Sequence, residues 1–133
     1  MTEPLNLGQF IVALQKVPED WRDEVRIMFR WGRADVGSLC SYRGYYDRLA
    51  LGFDGSGCES VGSLLKKCLA TVGETFEGYK GGNYRMGFDT LLHVANYGDT
   101  SDTRIVGVTW DNRDFDEPDF SKVAYIETAE FEE

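Results

Sequence analysis

The chain has 133 residues and a mass of 15.0 kDa, which is the size of one domain. Hydrophobic residues make up 42% and charged residues 28%, a globular balance that excludes a disordered chain, and no apolar run approaches the roughly 18 residues that cross a bilayer. The net charge is −9, most of it in residues 111–133, which hold nine acids against two bases; with no basic stripe elsewhere, duplex nucleic acid is not an expected partner.

Asn6 followed by Gln9 reads as a capping box, and Leu7, Phe10, Ile11, Leu14 and Val17 recur at helical spacing. A helix is therefore predicted over 6–16, stopped by Pro18. Residues 24–31 alternate, with Val25, Ile27, Phe29 and Trp31 on one face and Glu24, Arg26, Met28 and Arg30 on the other, as in a half-buried strand. Residues 32–44, with three glycines, read as a loop. Residues 47–53 alternate again, with Leu49, Leu51 and Phe53 inward, and 54–57 (DGSG) form a turn. A second helix is predicted over 61–72, capped by Ser60 and stopped at Gly73, with an apolar stripe of Val61, Leu64, Leu65, Cys68, Leu69 and Val72. The stretch 74–90 predicts a short strand near 76–80 and then an ordered loop. Residues 91–97 and 103–110 are a hairpin candidate, and 122–128 make a last strand. Runs of strands rather than strict strand–helix alternation predict a single α+β domain over residues 1–133, with a mostly antiparallel sheet of five or six strands and two helices. Edge strands without gatekeepers predict a homo-oligomer. The acidic segment at 111–133 reads as solvated chain, with a nucleic-acid mimic as the sharper alternative.

Several chemistries lack their residues. The start, MTEP, has no basic n-region, so no signal peptide is expected, and the location predicted is cytoplasmic. Cys40, Cys58 and Cys68 lack metal-ligand spacing and read as free thiols; no metal and no cofactor are expected. Cys68 in the helix stripe is explained as a small core residue. His93, the one histidine, sits among apolar neighbours and reads as structural. Asp111, Asp114 and Asp116 resemble a calcium loop only superficially, since the glycine and glutamate of that loop are misplaced. An enzyme is thus unsupported.

Two segments carry binding chemistry. The first, Ser41 to Asp47 (SYRGYYD), groups Tyr42, Tyr45 and Tyr46 with Arg43 around Gly44. Tyrosine offers a flat apolar face with a hydroxyl, and Arg43 can fork onto phosphate. A loop whose tyrosines cap the core edge is the equal alternative. The second, Thr75 to Met86 (TFEGYKGGNYRM), flanks Gly81 and Gly82 with Lys80 and Arg85, and its backbone amides can form an anion nest beside Tyr79 and Tyr84. A bulged hairpin is its alternative. Asn96, in VANYG, is either a turn former or a reader of a base or ribose edge, and Arg104 opens the following strand. Base stackers, phosphate-binding cations, an amide and glycines without a catalytic base suit holding a nucleotide-like anion rather than transforming it.

SYRGYYDRLALGF, TFEGYKGGNYRM, VANYG and RIVGV, in that order, resemble the phage anti-Thoeris family of small signal-sequestering proteins; the likeness spans roughly residues 41–108. The resemblance implies an α+β homodimer, or a hexamer, that captures cyclic ADP-ribose isomers made by bacterial defence proteins and holds them intact. It implies that some members also hold cyclic di- or trinucleotides at a second site. On the matched positions, Arg43 is implied as a phosphate contact, Tyr84 and Met86 as packing against adenine or lining the pocket, Asn96 as a base or ribose partner and Arg104 as a phosphate contact. Tyr42, Gly44, Tyr46, Lys80 and Gly82 complete the candidate site. The acidic segment after Trp110 falls outside the pattern. Two rival readings remain: an acidic inhibitor of a host nuclease, and a small nucleotide hydrolase.

Overall fold

The first helix, α1 (Leu7–Gln15), begins where its sequence says it should. The Asn6 Oδ1 accepts from the Gln9 amide and the Gln9 Oε1 accepts from the Asn6 amide, both at 2.9 Å, so two orphan donors are satisfied reciprocally. At the other end the Arg22 guanidinium donates to the Val17 and Gln15 carbonyls, from beyond a 3₁₀ turn at Glu19–Trp21. The computed structural model describes residues 3–30, 34–37, 39–41, 48–53, 55, 59–77, 83–95, 103–110 and 123–130.

The strands in chain order are β1 (Arg26–Phe29), β2 (Leu39–Ser41), β3 (Leu49–Leu51), β4 (Thr75–Glu77), β5 (Asn83–Arg85), β6 (Leu92–Val94), β7 (Thr103–Thr109) and β8 (Val123–Glu130). The second helix, α2 (Val61–Thr71), lies between β3 and β4, with the Ser60 Oγ accepting from the Ser63 amide at 3.1 Å. Six strands form one sheet in the order β1-β8-β7-β6-β3-β2, and β4 and β5 form a separate two-stranded hairpin.

The fold is α+β with two helices, but the sheet is mixed rather than mostly antiparallel. β1 runs parallel to β8 and β3 parallel to β6, while the β8–β7, β7–β6 and β3–β2 pairs are antiparallel. Alternation along a strand reports which residues are buried, not which neighbour the strand takes. The β3–β6 pair needs a long crossover, and α2 with the β4–β5 hairpin supplies it. Three further expectations change. Residues 32–44 include β2 rather than loop alone. The 74–90 stretch is a hairpin, Thr75 opposite Arg85 and Phe76 opposite Tyr84. Leu69 leaves the α2 stripe and is 45% exposed, because it sits about 80° round the helix from Val61, at the edge of the apolar arc. The turn expected at 54–57 lies outside the described residues apart from Gly55.

Both helices pack on one face of the sheet. Leu7, Phe10, Ile11 and Leu14 of α1 and Val61, Leu64, Leu65 and Cys68 of α2 join Leu49, Leu51, Leu92, Val94, Ile105 and Ile126 in a single core. β8 sits between β1 and β7, so the acidic C-terminal segment contributes an inner strand rather than only solvated chain. Its Glu127 pairs with Arg30, and Arg30 also donates to the Thr109 hydroxyl at 2.9 Å and stacks on the Tyr125 ring at 4.5 Å.

Two tests follow from the packing. Gly73 stops α2 with φ +88°, and a Cβ there would meet nothing closer than 3.8 Å, so Gly73→Ala strains the backbone alone. It is expected to cost about 1 kcal/mol in urea unfolding. Burial pushes the Cys68 thiol up to about 12, Glu59 adds to the rise and Lys67 partly offsets it. The folded state therefore keeps a proton that the unfolded thiol loses near pH ~8.5. The contribution is whole below that value and is lost as pH climbs towards 12. Unfolding titrations between about pH 9 and 12 should fall more steeply for the parent than for Cys68→Ala, by up to ~1.4 kcal/mol per pH unit. Equal slopes would contradict it.

Candidate functional site

A strand sends successive side chains to opposite faces of its sheet. In β6, Leu92 and Val94 enter the core under the helices, which leaves His93 on the other face. The same alternation places Ala50 of β3 and Arg104 of β7 on that face, away from α1 and α2, because Leu49, Leu51 and Ile105 take the core. Register then aligns them. Cys40 lies opposite Ala50, Ala50 opposite His93, His93 opposite Arg104 and Arg104 opposite Ala129. One row of the sheet thus crosses five strands with two basic residues at its centre and an alanine on either side.

Arg48 joins the row from the entry of β3. It stands two residues before Ala50, and its Nη1 lies 3.1 Å from the His93 Nε2. A guanidinium only donates, so the imidazole accepts at Nε2 and is neutral, with its proton on Nδ1. Arg104 is fixed differently: its Nε donates to the Leu92 carbonyl at 2.6 Å, which sets the guanidinium plane against β6. His93 is 2% and Arg104 8% exposed, although neither helix covers them. Ala50 and Ala95 form a small apolar cluster apart from the main core. Two guanidiniums beside an imidazole and short side chains supply the kind of donors that recognise an anion.

The Arg30 end of the same face is chemically different. There Tyr125 and Glu127 alternate with the core residues Ala124 and Ile126, and the Arg30 charge is met by Glu127. It is a closed structural ion pair, half exposed, and of small energetic weight.

The residues expected from sequence divide into three groups. Arg104 is in the basic row. Tyr84 lies in the middle of β5, and Met86, just after it, is 1% exposed in the main core; the Met86 amide donates to the Glu74 carbonyl and its own carbonyl accepts from the Gly73 amide. Met86 is therefore a core residue between the hairpin and the end of α2, not a member of the basic face. Tyr42, Arg43, Gly44, Tyr46, Lys80, Gly82 and Asn96 lie outside the described residues. Sequence reasoning does not single out Arg48; His93, read as a satisfied structural histidine, is buried and lies within hydrogen-bond distance of Arg48. The signal was present: the alternation that turns Leu49 and Leu51 inward turns Arg48 and Ala50 outward together.

Among the described residues no group of three His, Cys, Asp or Glu side chains is placed to hold a metal ion, and no helix is long and apolar enough to cross a membrane. Comparison of the chain with known protein families, with curated proteins and with solved structures finds no match.

Removing the Arg104 side chain strips the Leu92 carbonyl of a buried donor. Arg104→Ala is expected to lower stability by about 1–3 kcal/mol in urea unfolding. Arg104→Lys should recover little of that, because an ammonium on a flexible stem does not reproduce the planar Nε donor.

Proposed function

We propose that this protein binds a cyclic ADP-ribose-type nucleotide and holds it intact, removing a bacterial defence signal from the cytoplasm of an infected cell, and that it works as a homodimer or larger assembly. The observation that carries the reading is the basic row. Arg48, His93 and Arg104 share one face, with His93 and Arg104 buried, and Arg104 is also a position at which the sequence resembles the signal-sequestering family.

The physical case rests on where the charge is. A chain of net charge −9 repels an incoming pyrophosphate over most of its surface, so capture requires a locally positive, partly enclosed site. Two guanidiniums supply forked donors matched to phosphate oxygens, and burial raises the strength of each contact. Capture that silences a signal needs nanomolar affinity, on the order of −12 kcal/mol. Charge-assisted contacts with a stacked adenine are the class of interaction that reaches it, with Arg43, Asn96 and the tyrosines of SYRGYYD as the proposed remaining walls. Holding is favoured over cleavage because the His93 Nε2 lone pair is engaged by Arg48 and is not available as a general base. Cyclic di- and trinucleotides are proposed as candidates for a second site.

The test is to mix protein with a purified cyclic ADP-ribose isomer, remove free ligand, denature by heat and analyse what is released. Unchanged nucleotide at one equivalent per site is the expected result. Hydrolysed product, with turnover continuing at a hundredfold excess of substrate, would replace this reading with a hydrolase. A thermal-shift panel that includes cyclic oligonucleotides tests the second site, since a tight ligand raises apparent stability by mass action. Arg43→Ala is expected to weaken binding by about 2–4 kcal/mol in calorimetry. Unchanged affinity would remove Arg43 from the site.

A further inference from the structure

Away from the basic face, a groove of about 680 Å³ runs beside α1. The helix contributes Gly8, Gln9, Val12, Ala13 and, at its C-cap, Lys16. These are positions i, i+1, i+4, i+5 and i+8, one continuous helical face. Across from them stand Phe88, Trp110 and the irregular stretch of β7 at Val106 to Val108. Val12 is 54% and Phe88 59% exposed, the two largest exposures among the big apolar side chains described, and both line this groove. Exposed apolar residues gathered in one place mark an interaction surface.

The charges on the groove are arranged end to end. The Gly8 amide donates to the Phe88 carbonyl at 2.8 Å, and a Cβ at Gly8 would come within 2.9 Å of the Phe88 Cβ, so Phe88 and Asp89 are held at the N-terminal end of α1. Lys16 is at the C-terminal end, eight residues on, or about 12 Å along the axis at 1.5 Å per residue. Val12 lies midway. Lys16 and Asp89 are both exposed, and the ion pairs among the described residues involve neither.

We infer that this groove is the contact surface for a second copy of the chain, with the two α1 helices antiparallel across a two-fold axis at Val12. A two-fold contact uses the same patch twice, so the patch must complement itself. This one does. An axis perpendicular to α1 brings Val12 onto its counterpart and each Lys16 onto the partner's Asp89. An axis parallel to α1 sets lysine on lysine and aspartate on aspartate, which disfavours it. Ala13 is small enough for close helix approach. Each Phe88, standing on its own groove rim, has the other copy's groove to fill. The inference uses none of the basic-face residues and does not depend on the nucleotide reading.

The groove engages fewer residues than the ~20–30 a side of a standard interface, so the dimer is expected to dissociate in the micromolar range. Sedimentation velocity on the full chain, from about 1 to 500 µM, should show a reversible monomer–dimer equilibrium. Lys16→Glu and Asp89→Lys should each weaken it by about tenfold, and the two together should restore it. Val12→Cys should cross-link to itself under mild oxidation, beyond the level its native thiols give in the parent. Urea midpoints of each variant confirm that the fold is kept. A monomer at every concentration would overturn the inference, as would a dimer indifferent to both charge reversals, or a double variant as weak as the singles. Nucleotide capture by a monomer would overturn the interface and the assembly proposed for capture, and leave the basic face standing.

Discussion

The alternation of Leu92, His93 and Val94 along β6 is the constraint on which the rest depends. Two leucine-class neighbours must enter the core beneath α1 and α2, and the pleat then has no choice but to put the imidazole on the far face. The strands on either side obey the same rule, and their register lines up Ala50, His93 and Arg104. The core and the candidate site are therefore two sides of one periodicity. A one-residue slip would drive His93 and Arg104 into the leucines and expose the core, so the register that stabilises the fold also assembles the site.

On the face of the sheet away from α1 and α2, polar contacts hold the basic row. Arg48 donates to His93, and Arg104 donates to the carbonyl of the residue beside it. Both contacts orient guanidiniums in advance, which would lower the ordering cost of the capture we propose. The acidic end of the chain plays a different part from the one its composition suggests. Its strand lies inside the sheet, and Glu127 neutralises Arg30 at the opposite end of the same face.

Local features were legible in the sequence because their physics is local. The Asn6–Gln9 box, the Ser60 cap, the Gly73 stop and the burial of Cys68 each depend on residues within a turn or two of one another. The parallel pairs were not legible: β1 and β8 are far apart in sequence, with α2 and six other strands between them, and no pattern within either strand names its partner. Met86 shows the limit of motif reasoning, since a residue beside a glycine-rich segment is packed into the core, its backbone paired with Gly73 and Glu74 at the end of α2. Arg104 was singled out from its place before IVGV, whereas its meeting with His93 and Arg48 required the register. Arg48 carries no motif of its own, and only the pairing of β3 with β6 brings it to His93.

The most direct test of the central claim is a nitrogen-15 NMR titration that follows the His93 imidazole and the Arg48 and Arg104 guanidinium signals as a cyclic ADP-ribose isomer is added. The account predicts that all three move together and saturate at one ligand per site, with His93 reporting a neutral, Nδ1-protonated ring in the free protein. Saturable binding that left these three signals where they began would place the ligand elsewhere and contradict the account.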